Sequence, residues 1–232
     1  MRVAIMQPYL FPYVGYFQLL HHADVFVLLD DVAFIQKGWI NRNQLLVGQK
    51  PYLFTIPLAG SSQNKLIQDI SLLAVGRTQH KLLATIEQAY RAAPEFERVF
   101  PLVAQVLLSP EPDLTALVRD SLRRINALVG LPAAIIRSSA VTKNPRLTGQ
   151  DRILALCRAL GATEYLNMQG GSALYAADEF AHQGITLRFL APTLAPYPQR
   201  SAAFVPGLSI IDVLMHNSPA CVRELFGQGT LS

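Results

Sequence analysis

Apolar and polar residues follow two different periods in the first third of the chain. Two apolar runs of strand length, RVAIM and VFVLLDD, stand on either side of GYFQLLHHAD, where apolar residues recur at helical spacing. A β-rich run, YLFTIPL, comes after a loop that carries GWINRNQL, and it ends before the turn-like GSSQNK. Strands that alternate with short helices are typical of βαβ units, so this pattern predicts a parallel sheet.

The pattern between Thr78 and about Val129 is helical. Apolar residues there recur at i, i+3 or i+4 and i+7 in three successive stretches: HKLLATIEQAYRAA, FERVFPLVAQVLL and DLTALVRDSLRRINALV. We therefore expect a helical layer at about residues 78–129, inserted between strands of the sheet.

Strands and helices alternate again after this layer. We predict strands at AAIIRSS, EYLNM and TLRFL, and helices at GQDRILALCRALG, ALYAADEFAHQG, SIIDVLMHN and PACVRELF. No clear linker or internal repeat divides the chain. The sequence thus predicts a single α/β domain over residues 1–232, built on a doubly wound, mainly parallel sheet with a helical insertion.

Composition and charge narrow the class of protein. The chain is 51% hydrophobic and only 16% charged, which is typical of a compact globular protein and disfavours disorder. A net charge of +4 suits an anionic small-molecule substrate, and the cations form no tract of the kind that binds nucleic acid. An aromatic surface patch would fit a homo-oligomer or a pocket equally well, so the oligomeric state stays open.

Cysteine usage and the N-terminal segment indicate a cytoplasmic protein. Cys157 and Cys221 lie in apolar, helix-like contexts without metal-ligand spacing, so we expect both to be core residues in a reducing compartment. Pro8, Pro12 and Asp24 interrupt the apolar stretch of residues 1–30. We therefore expect neither a signal peptide nor a membrane span.

Four loops are in the position where open α/β sheets bind their ligands. Such ligands lie outside the carboxyl ends of the strands, where loops lead into helices. The loops are Gln7–Gly15, Asp30–Asn43, Asn167–Ser172 and Pro192–Ser209. A parallel sheet would bring their side chains to one edge.

The first of these loops, QPYLFPYVGYF, begins at Gln7 and holds two prolines, a glycine, three tyrosines and two phenylalanines. The prolines stiffen the loop, and Tyr9, Tyr13 and Tyr16 offer ring faces with hydroxyl donors, which suits a sugar or a base. The alternative is a loop that is simply packed by its own aromatic side chains.

The second loop is dense in polar groups. Asp30 and Asp31 end a strand, and a carboxylate there would bind a metal, a sugar hydroxyl or an amine, while Arg42 would bind a phosphate or carboxylate. In the alternative interpretation, Asn41 caps a helix with Gln44 at its third position, and Asp30 pairs with Arg42 or Lys37 as scaffolding. The candidate ligand contacts of this loop are Asp30, Asp31, Lys37, Trp39, Asn41, Arg42 and Asn43.

His80 is the most plausible general base among the histidines, because it begins a long predicted helix and imidazole side chains in general exchange protons near neutral pH. An ordinary surface histidine is the alternative. His21, His22, His182 and His216 fall at the ends of predicted helices. None of the five has metal-ligand spacing, so no metal site is predicted.

The two remaining loops supply weaker candidates. Backbone N–H groups around Gly170 and Gly171 would hold a phosphate or carboxylate, with side-chain contacts from Gln169 and Tyr175. Tyr197 and Gln199 are further candidate ligand contacts, while the Ser209/Asp212 spacing equally fits a capping box. No GxSxG, Walker A or GxGxxG motif occurs.

Long stretches of the chain resemble a known family. QPYLFPYVGYFQLLHHADVFVLLDDVAFIQKGWINRN is similar to the opening of WbqC-like proteins, and EYLNMQGGSALY with YPQRSAAFVPGLSIIDVLMHN resembles their C-terminal motifs. Members occur in gene clusters for O-antigen and other surface polysaccharides. A role proposed within the family is glycine transfer, the attachment of an aminoacyl group to an amino sugar.

A second likeness concerns the fold. Nucleotidyltransferases with an HxGH motif place it after their first strand, and YVGYFQLLHHADVFVLL has the same layout with Tyr13 and Tyr16 in place of the histidines. The likeness implies a Rossmann-like sheet of the HUP type. It argues against adenylyl transfer, because the imidazoles that stabilise a transferring phosphoryl group are absent.

The resemblance to WbqC-like proteins implies a cytoplasmic transferase that moves an aminoacyl or acyl group onto the amine of a nucleotide-linked sugar. His80 or Asp31 would be the base, Asn41 and Asn43 the oxyanion donors, and Arg42 with the Gly170-Gly171 loop the diphosphate cradle. The sequence does not identify the acyl donor, which is ATP with free glycine, a charged tRNA or an acyl thioester. The alternatives are a non-catalytic nucleotide-sugar-binding protein and, third, a degenerate nucleotidyltransferase.

Overall fold

The computed structural model describes all residues from 1 to 232. Its strands are β1 Arg2–Met6, β2 Val25–Leu28, β3 Arg42–Val47, β4 Lys50–Thr55, β5 Leu58–Ala59, β6 Ser71–Leu72, β7 Ala134–Arg137, β8 Glu164–Met168, β9 Thr186–Ala191 and β10 Thr230–Leu231. Its helices are α1 Val14–His22, α2 Arg77–Tyr90, α3 Phe96–Leu107, α4 Leu114–Val129, α5 Gly149–Ala159, α6 Ala177–Ala181, α7 Ile210–His216 and α8 Pro219–Phe226. Short 3₁₀ turns occur at Ile67–Asp69, Ser138–Ala140 and Gln169–Leu174.

Six strands form the central sheet in the order β10-β9-β8-β1-β2-β7. All neighbours are parallel except β10, which pairs antiparallel with β9. The predicted mixed α/β fold with a mainly parallel sheet is therefore confirmed. From β1 the chain adds β2 and β7 on one side and then β8 and β9 on the other, so the order reverses between β1 and β8. That reversal is where sheets of this kind open a crevice for a ligand.

Both faces of the sheet are buried, which explains the continuous apolar runs in its strands. Ala4 and Phe26 face the larger core, where the Phe17 ring of α1 stacks on Phe226 of α8 at 5.0 Å between centroids. Val3 faces the smaller core, which is covered by α5 and α6. Side chains of alternate residues thus anchor the strands from opposite sides.

The three helices predicted between Thr78 and Val129 form as α2, α3 and α4. Helix α4 begins at Asp113, whose carboxylate accepts a hydrogen bond from the backbone N–H of Ala116 at 3.0 Å, and it ends at Gly130 in the left-handed region (φ 72°). No helix of the protein combines the length and the apolar character needed to cross a membrane.

The prediction for GWINRNQL was wrong in part, because Arg42–Val47 is strand β3 and not a loop or the start of a helix. It pairs antiparallel with β4 through a two-residue turn in which both Gly48 (φ 56°) and Gln49 (φ 64°) are left-handed. Asn43 and Leu45 point inward from β3, so the stretch has strand periodicity. Asn41 therefore caps no helix.

Two further predictions need correction. The helix expected through ALYAADEFAHQG is confined to Ala177–Ala181, because the chain is extended at Tyr175 and Ala176. Cys221 is exposed on α8 and is not a core residue. Cys157 is buried as expected, and burial raises the pKa of its thiol to about 12.

Candidate functional site

Three of the four loops predicted to carry the site line one cavity of about 240 Å³ at the carboxyl edge of the sheet. We call it the aromatic pocket. Its lining residues are Tyr9, Pro12, Tyr13, Trp39, Asn43, Leu194 and Gly207. The fourth loop, Asn167–Ser172, contributes none of them.

The aromatic pocket offers hydrogen-bond donors that the protein does not use. The Tyr9 and Tyr13 hydroxyls and the Trp39 indole N–H form no hydrogen bond within the chain, and the Trp39 side chain is 44% exposed. Burial raises the pKa of Tyr9 and of Tyr13, so both hydroxyls keep their protons at neutral pH. The pocket therefore presents ring faces with neutral donors.

We call the loop Gln7–Gly15 the aromatic loop, and two side chains hold it in place by donating hydrogen bonds to one of its backbone carbonyls. Asn43 Nδ2 and Ser209 Oγ each donate a hydrogen bond of 2.8 Å to the carbonyl oxygen of Phe11. Phe11 has a left-handed backbone (φ 47°), an unfavourable conformation for a bulky residue. The Asn43 amide therefore positions the loop through one of its two N–H donors.

Tyr16 and Gln7 support the loop in the same way. The Tyr16 ring is fully buried, and its hydroxyl donates to the carbonyl oxygen of Gln7 at 2.9 Å. Its ring also packs against Tyr9 and Phe26, with centroids at 5.7 and 5.0 Å. Of the three tyrosines in this stretch, Tyr9 and Tyr13 line the pocket, while Tyr16 is buried and holds the loop backbone in place.

A second cavity of about 230 Å³ is lined in part by other residues of the same segment, 37–43. We call it the cationic cavity, and its lining residues are Phe34, Gln36, Lys37, Asn41, Arg42, Thr55, Leu58 and Ser61. The Arg42 guanidinium lies 5.5 Å from the centroid of the Trp39 ring and donates to the carbonyl oxygens of Gly38 and Lys37. Asn41 Nδ2 donates to the carbonyl oxygen of Ile56 at 2.7 Å.

The Asp30 carboxylate is a scaffold group. It is fully buried, and it accepts hydrogen bonds from Arg137 Nε at 2.6 Å, Ser139 N at 2.9 Å and Ser139 Oγ at 2.8 Å. The prediction that Asp30 pairs with Arg42 or Lys37 was wrong, because its ion-pair partner is Arg137. Arg137 ends the neighbouring strand β7, and it also pairs with Asp113 at the start of α4.

Asp31 lies at the mouth of a third cavity, of about 400 Å³, within an ion-pair network. Lys143 Nζ lies 2.6 Å from its carboxylate and Arg152 Nη1 lies 3.2 Å from it. Burial alone would raise the pKa of Asp31, but hydrogen bonds from Lys143 and Ser138 and the charges of Lys143 and Arg152 hold it below its ordinary value. Asp31 is thus an ion-pair partner and a poor proton acceptor.

Sequence reasoning missed the loop after β7, which supplies this network. Ser138 and Ser139 follow a parallel strand directly, so the carboxyl-end rule points to them as it does to the other loops. Most donors of these two cations are used, because Lys143 also donates to the Ser138 and Val141 carbonyls and Arg152 to the Leu147 and Pro145 carbonyls. The network braces the β7–α5 loop.

Tyr197 and Gln199 meet at a buried carboxylate under the last loop. Tyr197 Oη and Gln199 Nε2 donate to Asp212 Oδ2 at 2.6 and 2.9 Å, and Tyr90 Oη donates to Oδ1 at 2.8 Å. Ser209 alone caps α7, so Asp212 is not a capping-box residue. The network anchors the loop that carries Leu194 and Gly207 to the aromatic pocket.

The remaining candidate residues line neither the aromatic pocket nor the cationic cavity. His80 is exposed in the first turn of α2, and its side chain forms no hydrogen bond or salt bridge. Gln169 and Gly170 are exposed, and Gly171 is backed by the Asn167 side chain. Tyr175 packs against Tyr165 in the smaller core on the opposite face of the sheet. The structure brings together no group of three or more His, Cys, Asp or Glu residues that could hold a metal ion.

Comparison with known proteins places this chain among its relatives. Residues 7–224 match the model of the WbqC-like protein family. The chain belongs to that family. The WbqC-like chain is also 27% identical over 221 residues to the uncharacterized protein Rv1507c of Mycobacterium tuberculosis, covering 93% of each sequence. No solved structure matches the chain.

Proposed function

We propose that this WbqC-like protein binds the sugar of a nucleotide-linked amino sugar in the aromatic pocket and transfers an aminoacyl group, such as glycine, to the sugar amine. The observation that carries the proposal is the set of unused donors on Tyr9, Tyr13 and Trp39 around one cavity. The order of the parallel strands, with its reversal next to this pocket, supports a Rossmann-like sheet of the HUP type.

A sugar fits the chemistry of the pocket. Aromatic ring faces cover the apolar C–H face of a sugar, and hydroxyl and indole donors bind its oxygen atoms. No lining residue of the aromatic pocket is charged. The cavity of about 240 Å³ has the scale of one sugar ring and is smaller than pockets that enclose a whole drug-sized ligand.

The acyl-transfer step is compatible with this lining. The sugar amine attacks the acyl carbonyl, a C–N bond forms, the bond to the leaving group breaks, and the amine proton leaves with that group. Holding the two reactants together supplies much of the rate enhancement for such a step, and whichever of the Tyr9 and Tyr13 hydroxyls does not bind the sugar is the donor available to the developing oxyanion. The carbonyl contacts of Asn41 and Asn43 make these amides positioning groups in this proposal.

A nucleotide-sugar-binding protein without catalysis is the second candidate. It is favoured by the placement of the two expected bases, because His80 is exposed outside the pocket and Asp31 is paired with two cations. Nucleotidyl transfer ranks last, since Tyr13 and Tyr16 replace the histidines of the HxGH layout and Tyr16 is fully buried.

Mass spectrometry of a transfer assay tests the proposal. The acceptor is UDP-glucosamine, and the donor is supplied in parallel as glycine with ATP, as glycyl-tRNA and as a glycyl thioester. We expect a glycyl adduct of the sugar in one arm, loss of most activity in Tyr13→Phe, and full activity in the control His80→Ala. Saturable acceptor binding without product in any arm would favour the binding protein, and absence of both binding and product would overturn both candidates.

A further inference from the structure

We infer that the cationic cavity binds the diphosphate of the same ligand whose sugar lies in the aromatic pocket. This inference rests on the proposed function, and it assigns the anionic part of the ligand to Lys37 and Arg42.

The charge of the cavity lining supports a polyanion. Lys37 and Arg42 are the charged residues of the lining, Ser61 and Thr55 add hydroxyls, and no carboxylate is present. The Lys37 ammonium forms no salt bridge or hydrogen bond within the protein. The Arg42 guanidinium contacts backbone carbonyls through Nε and Nη2, so its Nη1 group keeps its hydrogen-bonding capacity.

One segment of the chain, residues 37–43, contributes lining residues to both cavities. Trp39 and Asn43 line the aromatic pocket, and Lys37, Asn41 and Arg42 line the cationic cavity. The Arg42 guanidinium lies 5.5 Å from the Trp39 ring centroid, so the cationic and aromatic surfaces meet at this pair. A ligand with a sugar ring joined to a diphosphate would contact both residues of this pair, because its neutral and anionic parts are covalent neighbours.

The other candidate phosphate sites are less suitable. Most donors of Lys143 and Arg152 are occupied by Asp31 and by backbone carbonyls. The segment at Gly170 and Gly171 is a 3₁₀ turn that lines neither cavity. Lys37 and Arg42 are the cations that combine free donors with a place beside the aromatic pocket.

Calorimetric titration with inorganic pyrophosphate tests this inference without any sugar. We expect the wild-type protein to bind pyrophosphate with an affinity that falls as salt is added, because the contacts are ionic. Lys37→Gln removes one charged donor and is expected to weaken binding about tenfold, the usual effect of losing one hydrogen bond to a charged group. The matched control is Lys50→Gln, which removes an exposed lysine at the tip of the β3–β4 hairpin.

Equal weakening in Lys37→Gln and Lys50→Gln would show general charge attraction and overturn the inference, as would absence of pyrophosphate binding to the wild-type protein. Arg42→Lys keeps the charge but loses the guanidinium fork, and we expect it to weaken binding as well. Circular dichroism and thermal unfolding of each variant establish that the protein remains folded.

Competition identifies the source of the diphosphate. We expect UDP-glucosamine to displace pyrophosphate, and Tyr13→Phe to weaken UDP-glucosamine while it leaves pyrophosphate affinity unchanged. Displacement by ATP with no displacement by UDP-glucosamine would assign the cavity to the donor and contradict the inference. If pyrophosphate and UDP-glucosamine compete but no transfer occurs in any donor arm, the transferase proposal fails and this inference stands.

Discussion

The Tyr13 ring lies against Gly15, where a Cβ atom would stand 2.4 Å from Tyr13 Cε2 and 2.8 Å from its hydroxyl oxygen. Any side chain at Gly15 would therefore displace the ring. Gly15 is the second residue of α1, so its lack of a side chain allows the ring of the pocket wall to pack directly on the helix. This contact couples the start of the helix to the position of Tyr13, a proposed ligand-binding group.

Gly15→Ala should therefore weaken sugar binding while the protein stays folded. Alanine is favourable in a helix by about 0.5–1 kcal/mol over glycine, which offsets part of the cost of moving the ring. We expect at least a tenfold loss of affinity for UDP-glucosamine in calorimetric titration. Gly170→Ala is the matched control, because a Cβ there meets no atom within 4 Å, and an equal loss in that variant would contradict this role of Gly15.

Asn43→Ala and Ser209→Ala should each destabilise the protein through the Phe11 carbonyl. Each variant removes a buried hydrogen bond of 2.8 Å, for which the expected loss in the free energy of unfolding is about 1–2 kcal/mol. Because both donors share one acceptor, the two losses should not be additive: the loss in the double variant should differ from the sum of the two single losses. Urea unfolding measures these losses, with exposed Asn64→Ala as the control; additive losses would show that the two contacts act independently.

Lys37→Gly should separate stability from ligand binding. Lys37 has a left-handed backbone (φ 58°), which costs a residue with a side chain about 1 kcal/mol and costs glycine nearly nothing. We expect Lys37→Gly to unfold at a higher temperature and to lose pyrophosphate affinity. Gln49→Gly relieves the same conformation (φ 64°) in the β3–β4 turn, and it should gain stability with unchanged affinity. Retained pyrophosphate affinity in Lys37→Gly would remove Lys37 from the site.

The stabilisation that Asp31 gives the protein through its ion pairs should be lost in acid. Its pKa in the folded protein lies below the ordinary value of 3.8, so its ion pairs stabilise the fold fully above that value. This stabilisation is lost as the pH falls through the lowered pKa, because the carboxylate becomes protonated. Urea unfolding across this range should show Asp31→Asn well below wild type at neutral pH and the gap narrowing in acid. A gap that does not change with pH would contradict the ion-pair role.

Sequence reasoning was strongest where one element carries its own pattern. Strands β1 and β8 coincide with the predicted RVAIM and EYLNM, and the three central residues of each strand are buried. Strand β3 was missed because Arg42 and Gln44 face outward, and Gly48-Gln49 is not one of the strongest hairpin-turn pairs.

The polar networks could not be predicted from local patterns. Arg137 lies 107 residues from Asp30 in sequence, and Tyr90 lies 122 residues from Asp212. Such pairs depend on strand order and helix packing, which no spacing along the chain specifies. The aromatic loop was recognisable because its chemistry is concentrated in eleven residues, although which tyrosines line the pocket depends on the fold.

Trp39 allows the most direct measurement, because it is the one tryptophan of the chain and it lines the aromatic pocket. Titration of ¹⁵N-labelled protein with UDP-glucosamine follows this single indole resonance by NMR. We expect a saturable shift of the Trp39 resonance in the wild-type protein and a weaker apparent affinity in Tyr13→Phe. An indole resonance that does not move at ligand concentrations that saturate binding by calorimetry would place the sugar elsewhere and contradict the aromatic pocket as its site.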